Sequence, residues 1–351
     1  MKKLLYSLHS GNLYGTERMA LATAAGMRDE FETIIIAPPG IVHAEAKRSG
    51  FQSILFESTS EYLAAIRPWF ARREPIVAIG TRVMHSLAAS FWSSLYRVDA
   101  ANIHVVHGGA DERLSYGRKH WLNRFGVKQV AVSDYVKERM TAHGADTRSI
   151  TVIENFLTPE SVEQVQRRPV YCSQPLSKVV VISRLDPIKR VDLLLDAISV
   201  CPELRAFDFD IYGDGSDAEM LKARARASHF NVRFMGFCPN VADRICEADI
   251  LLHLCPEEPF GLAILEGMAA GLVPLVPDSG GAACIVEEGK NGFHYCANSA
   301  GDLARKLLFL RQAPVDQMQS IAVQGSLSLR GRFSARSGVA QYRQLIHQCL
   351  A

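Results

Sequence analysis

The first 171 residues contain no cysteine, and the eight that follow, beginning with Cys172, include no Cys-x-x-Cys pair and none in zinc-finger spacing with a histidine. That distribution argues against a disulfide framework and a structural zinc site. It fits reduced, buried thiols in a cytosolic chain, such as Cys255 after the apolar Leu251, Leu252 and Leu254. Long apolar runs are missing as well. No stretch approaches the roughly 20 residues of a membrane-spanning helix. The N-terminal MKKLLYSLHSG breaks at Ser7, His9 and Ser10, too early for a signal peptide, and reads as a first buried strand. A dominant charge is lacking too: the formal net charge is +2, which gives no global attraction to nucleic acid. Residues 1–168 carry 21 Lys and Arg against 17 Asp and Glu, and the remainder 18 against 20. The mildly basic first part is compatible with an anionic membrane surface or a phosphorylated acceptor, or with an ordinary solvated surface. No internal repeat and no low-complexity tract occurs.

What is present is an alternation. Short apolar runs (Leu4 to Leu8, Thr33 to Ala37, Ile76 to Ile79, Ile103 to Val106, Val130 to Val132) are separated by segments of helical length such as Thr16 to Met27 and Ser133 to Ala142. Continuous apolar strands between helices predict parallel sheets covered on both faces, hence α/β architecture. The pattern pauses between Pro159 and Lys178, the best linker candidate. It resumes with Val179 to Ile182, Phe207 to Tyr212, Val232 to Met235, Ile250 to Leu254 and Val273 to Val276. The expected division is therefore 1–168, 169–333 and a terminal helix over 334–351. That helix carries Val339, Tyr342, Leu345, Ile346 and Leu350 on one stripe.

Four segments could carry chemistry. SGNLYGTER follows the first strand but lacks the Gly-Lys-Ser/Thr of a phosphate-binding loop. Gly11 and Gly15 still permit close approach of a ligand to the next helix, though a plain strand-to-helix turn explains them equally. GDGSDA, Gly213 to Ala218, matches the glycine pattern of a dinucleotide site, but the next strand, NVRFMGF, ends without the acidic residue that would hold a ribose. Asp208 and Asp210 have D-x-D spacing, for which one polar strand face is the simpler account. CPEEPFGLAILEGMAAG, Cys255 to Gly271, places Glu258 before a helix and Glu266 within it. That spacing suits an elongated ligand touched at two places, with its phosphates at the helix start. A carboxylate among Ile264, Leu265 and Met268 requires a hydrogen-bond partner if buried. SRLDPIKR sets Arg184 and Lys189 around a turn, a fitting clamp for a diphosphate or, alternatively, a salt-bridge cluster with Asp186 and Asp192.

Together these segments resemble the family 4 glycosyltransferases, which have the GT-B fold: two Rossmann-like domains with parallel sheets facing a central cleft. Glu258 and Glu266 match the family's E-x7-E motif and Arg184 and Lys189 its basic pair. IYGDG, FMGF, EADILLH and DSGGAACIVEEGKNGF stand in family order. The resemblance implies a first domain for the acceptor and a second for a nucleoside-diphosphate-sugar donor. It makes Arg184 and Lys189 the diphosphate clamp, Glu266 the ribose carboxylate and Glu258 the contact to the sugar hydroxyls. The backbone N–H groups of Phe260, Gly261 and Leu262 would meet sugar or phosphate, and the base would rest near Gly236, Phe237 and Cys238. In the first domain, Gly15 and Glu17 match a Gly-Gly-x-Glu loop, with Tyr14 in place of its first glycine beside the acceptor. His107 matches a histidine facing the transferred sugar; a strand-end histidine is the plain alternative.

The activity so implied is retaining transfer of a hexose to a glycan, lipid-linked or small-molecule hydroxyl, in cell-surface or polysaccharide synthesis. No metal or other cofactor is expected, and the location is expected to be cytoplasmic, with peripheral contact at the inner membrane face. Ser183, Phe156 and Leu254-Cys255 depart from the family pattern without removing a charge. The rival readings are a nucleotide-sugar epimerase, a binding protein without turnover and a dehydrogenase. RPWFARR and GRKHWLNRF, basic and aromatic, could touch lipid, although a solvated helix face is the simpler account.

Overall fold

A computed structural model of the chain describes residues 1–350 except 110, 111, 118, 164, 166, 169, 170, 172–174, 239 and 240, and except the side chains of residues 112 and 242. Contacts divide it into two compact units, Met1–Phe156 with Ala335–Ala351, and Leu157–Ser334.

The first unit holds seven parallel strands among the described residues: β1 (Lys2–Ser7), β2 (Phe31–Ala37), β3 (Gln52–Leu55), β4 (Ile76–Gly80), β5 (Ala100–Val106), β6 (Lys128–Ala131) and β7 (Ile150–Val152). Their order is β3-β2-β1-β4-β5-β6-β7. Every residue of β4, and Leu4 to Ser7 of β1, is buried, as the unbroken apolar runs require when helices cover both faces. Leu5, Ile34, Ile36, Tyr62, Ile66, Phe70 and Ile76 form the core on one face. The terminal helix, Ala335–Leu350, buries Val339, Tyr342, Leu345 and Ile346, with Leu350 only half-buried. It packs on the helix Gly15–Gly26 and is tied there by Arg343 to Asp29 and to the Gly26 carbonyl, and by His347 to Glu30 at 2.6 Å.

The second unit holds six parallel strands among the described residues: β8 (Lys178–Ile182), β9 (Asp208–Tyr212), β10 (Val232–Gly236), β11 (Ile250–Leu252), β12 (Val273–Pro277) and β13 (Phe293–Tyr295). Their order is β10-β9-β8-β11-β12-β13. Phe207, Phe209, Ile211, Leu194, Leu252, Leu275 and Leu307 lie in its core. In each unit the strand order reverses once, between β1 and β4 and between β8 and β11. In open parallel sheets ligands bind outside the carboxyl ends of the strands at such a reversal.

Three expectations are corrected. The chain passes from one unit to the other at residues 156 and 157, not at 168 and 169. Phe156 lies against Gly338 of the first unit, whereas Pro159–Glu163 is helical and packs in the second. The stretch expected as a linker is solvated only in part where it is described: Pro159, Glu160, Glu163, Arg167, Pro175 and Lys178 are exposed. Tyr171 and Leu176 enter the second core, and Arg168 pairs with Asp249 and stacks on Tyr171 at 3.6 Å; residues 164, 166, 169, 170 and 172–174 of that stretch lie outside the described residues. Of the cysteines, only Cys246 and Cys255 are buried among the described residues, Cys296 is exposed, and Cys172 lies outside them.

Candidate functional site

Two loops leave the strand reversal of the second unit. The first follows β8 and carries Ser183, Arg184, Asp186 and Lys189. It is braced by the GDGSDA turn: the Leu185 N–H donates to the Asp214 carbonyl at 2.9 Å, the Asp217 N–H to the Leu185 carbonyl at 2.8 Å, and the Ser216 N–H to Asp186 Oδ1 at 3.3 Å. The glycines of that turn thus serve a loop-to-loop contact. Asp210, the second acid of the D-x-D pair, takes two hydrogen bonds from Arg233, at 2.5 and 2.9 Å, and Asp208 accepts from Asn231. A strand face with local partners accounts for both.

The second loop follows β11 and carries His253, Cys255, Glu258, Phe260 and Gly261 up to the helix Leu262–Ala269. Gly261 is the residue before that helix, with φ of 113°, a conformation a side chain would strain. Phe260 is buried, Leu262 is half-buried, and Glu266 is buried among Ile264, Leu265 and Met268.

Across 69 residues of sequence the two loops meet. Lys189 Nζ donates to Glu258 Oε2 at 2.6 Å, and His253 Nε2 lies 3.5 Å from the same oxygen. The Lys189 and Glu258 side chains are only 17% and 16% exposed, so their charges are largely withdrawn from water. Burial alone would push the Lys189 ammonium down, but its surroundings, the Glu258 carboxylate foremost, more than offset this and hold the lysine above its usual value. Burial likewise works upward on Glu258, while Lys189, His253 and Arg184 together hold its carboxyl below the usual range. His253 is pushed down to about 4, by burial first and with Lys189 also acting downward, so the imidazole is neutral near pH 7. The Cys255 thiol donates to the Ile188 carbonyl at 3.3 Å and is raised to about 11 by burial, which makes it a neutral peg under the Lys189 loop. Arg184, more than half exposed, pairs with Asp186 at 2.7 Å and acts electrostatically on both Lys189 and Glu258. Gly236, Phe237 and Cys238 stand at the carboxyl end of the edge strand β10, two strand spacings from β8, or about 10 Å. The Phe237 ring is exposed.

The loop after β12 supports this constellation. The Gly281 N–H donates to the Glu258 carbonyl at 2.6 Å, and the Ser279 hydroxyl to the Pro256 carbonyl at 2.9 Å. A Cβ on Gly281 would lie 2.2 Å from the Pro259 carbonyl oxygen. Gly281→Ala is therefore expected to displace Glu258 from Lys189 and to lower the melting temperature; an unchanged melting temperature in calorimetry would refute this.

The remaining expected residues belong to the first unit. Tyr14, exposed, precedes the helix Gly15–Gly26, and its N–H donates to Glu17 Oε2 at 3.1 Å. Glu17 is buried and its other oxygen, Oε1, has no hydrogen-bond partner; burial pushes its carboxyl up. His107 follows β5 with Nε2 buried and without a hydrogen-bond partner, and it is lowered to about 3 by burial first and by His9 second. His9, after β1, shares a hydrogen bond of 3.2 Å with Thr81, after β4. These groups occupy the strand ends on either side of that unit's reversal.

Sequence reading missed His253 and the Ser279–Gly281 support. A polar residue closing the apolar run ILLH was the available signal for the first, and the small residues SGG before a short helix for the second. Among the described residues, no group of three or more His, Cys, Asp or Glu side chains is placed to hold a metal ion.

The sequence profile described as Glycosyl transferases group 1 matches residues 173–322. This stretch is similar to the glycosyl transferases group 1 domain. The β8 and β11 loops of the matched stretch contain Arg184, Lys189 and Glu258. Among curated relatives, the N-acetyl-alpha-D-glucosaminyl L-malate synthase of Bacillus anthracis is 26% identical over 242 residues, 64% of this chain and 62% of that protein. The GDP-mannose:cellobiosyl-diphosphopolyprenol alpha-mannosyltransferase of Komagataeibacter xylinus is 25% identical over 233 residues, 64% and 57%. The chain spans about six-tenths of the length of the curated relatives it matches. Anabaena Alr3699/HepE, solved with UDP and glucose, superposes with a TM-score of 0.82 at 20% identity, covering 99% of this chain and all of that one. The likeness is one of fold: each unit is a parallel-sheet α/β unit of the kind found in GT-B glycosyltransferases.

Proposed function

We propose that the protein transfers a hexose from a nucleoside-diphosphate sugar to an acceptor hydroxyl, with retention at the anomeric carbon. The observation that carries this reading is the Lys189–Glu258 pair, buried at the strand reversal beside Arg184 and the start of the helix Leu262–Ala269. On this reading the diphosphate lies against Lys189, Arg184 and the free N–H groups at the helix start. Glu266 takes the ribose, and the base rests against Gly236, Phe237 and Cys238. The bond from the anomeric carbon to the diphosphate breaks and its electron pair leaves with the phosphate. The acceptor oxygen bonds the same carbon and gives its proton to the departing phosphate. The two cations and the helix amides meet the charge as it develops, which needs no metal ion; turnover is expected to persist in chelator.

Support comes from the group 1 profile over residues 173–322 and from transferases among the relatives. Because Anabaena Alr3699/HepE was solved with UDP and glucose, UDP-sugars head the screen. The test is thermal shift against UDP-, GDP- and ADP-sugars, followed by mass spectrometry of the products formed with candidate acceptors. A ligand present at a hundred times its dissociation constant stabilises by about 2.7 kcal/mol, well within detection. Release of an altered free sugar nucleotide without acceptor would instead identify an epimerase. A shift with NAD alone, or none at all, would overturn the reading.

A further inference from the structure

The helix Val83–Tyr96 of the first unit packs Met84, Ala88, Ala89, Trp92 and Tyr96 on the core but also presents apolar side chains outward. Its buried positions are His85, Ser86, Ala88, Ala89, Ser90 and Ser93, small or polar, whereas Phe91 and Leu95 are 57% and 58% exposed. A helix packing on a sheet in water ordinarily keeps its outer face polar. The exposed apolar side chains also continue onto a neighbouring element. The Ser90 hydroxyl donates to the Phe125 carbonyl at 2.6 Å, which sets the segment Lys119–Phe125 alongside this helix. Trp121 and Phe125 on that segment are 47% and 52% exposed. On the other flank, Trp92 stacks on Tyr96 with ring centres 5.7 Å apart. Arg67 lies over Trp92 at 5.7 Å and donates to the Tyr96 hydroxyl at 2.8 Å. Arg124 lies over Trp121 at 4.9 Å.

Charge completes the picture. Residues 83–98 contain no acidic residue. Residues 113–133 contain none either, but include Arg113, Arg118, Lys119, Arg124 and Lys128. Exposed aromatics interleaved with cations, and without acids, match a bilayer boundary with anionic headgroups: the rings enter the acyl edge while the cations remain at the phosphates.

We propose that this face, carried by Phe91, Leu95, Trp121 and Phe125 with Arg124 and Lys128, docks the protein on an anionic lipid bilayer. The docking is independent of the donor site. It is tested by cosedimentation of the full chain with phosphatidylcholine vesicles prepared with and without phosphatidylglycerol. Binding is expected only to the anionic vesicles and to weaken with salt. Phe91→Ser with Phe125→Ser, and separately Arg124→Glu with Lys128→Glu, should each lower the partition coefficient at least about tenfold. Phe309→Ser, at an exposed ring of the second unit, should leave it unchanged. All these side chains are exposed, and an unaltered melting temperature verifies folding. Three results would overturn the proposal: no binding to anionic vesicles, equal binding by the variants, or a lipid-free dimer abolished by the Phe91/Phe125 variant, which would assign the face to a second copy of the chain.

Discussion

Lys189→Met is expected to lower sugar transfer on the order of a hundred- to a thousandfold, the effect of removing a preorganised charge from a developing anion. It should also lower stability, because Glu258 would remain buried at an apolar neighbour. Removing one partner of such a pair costs about 3–5 kcal/mol. The two losses separate in a double-mutant cycle. Adding Glu258→Gln removes the uncompensated carboxylate, so the melting temperature should recover most of its loss while turnover stays low. Recovery of turnover in the double variant would show that Lys189 merely neutralises Glu258, and would remove the main support for a diphosphate site. Arg184 provides a contrast: more than half exposed and paired with the accessible Asp186, it should be replaceable by Ala with little change in stability.

Acid should destabilise the first unit through His85. This imidazole is 1% exposed, its two nitrogens have no hydrogen-bond partner, and it lies against Tyr62 with ring centres 4.7 Å apart and edge-on to Phe56 at 5.9 Å. Burial first, and Arg82 second, lower it to about 3. An unfolded chain protonates its histidines near pH 6.5. The folded unit therefore binds fewer protons than the unfolded one between pH 6.5 and 3, and stability falls as pH falls through that window, by up to about 1.4 kcal/mol per pH unit for this one group. His104, wholly buried and bonded to Ser86 at 2.9 Å, is lowered in the same direction. His85→Phe should flatten the pH dependence by one proton and stabilise the unit at pH 5. The measurement is simple because all three tryptophans, Trp69, Trp92 and Trp121, lie in the first unit, so urea unfolding followed by their fluorescence reports on it directly. Parallel stability-versus-pH curves for the two proteins would refute the assignment.

The α/β alternation was legible because a strand buried on both faces must be largely apolar, as β4 is throughout and β8 is after Lys178. β3, with the half-exposed sequence QSIL at a sheet edge, and the three-residue β7 and β13 carried too little pattern to be seen. In the site, the residue types were readable from their spacing around turns, but their partners were not. Glu258 was read as a sugar contact and Lys189 as one half of a pair with Arg184. That they bond to one another follows from β8 and β11 being neighbours in the sheet, which no local pattern encodes. His253 could be seen as a polar end to the run ILLH, but its significance comes from the oxygen it approaches.

The return of the helix Ala335–Leu350 to the first unit has a consequence for synthesis. A chain emerging from the ribosome can close the second unit, contiguous over 157–334, while the surface that will receive Val339, Tyr342 and Ile346 is still uncovered. The first unit is thus completed last, and loss of residues 335–350 would injure the unit to which residues 1–156 belong.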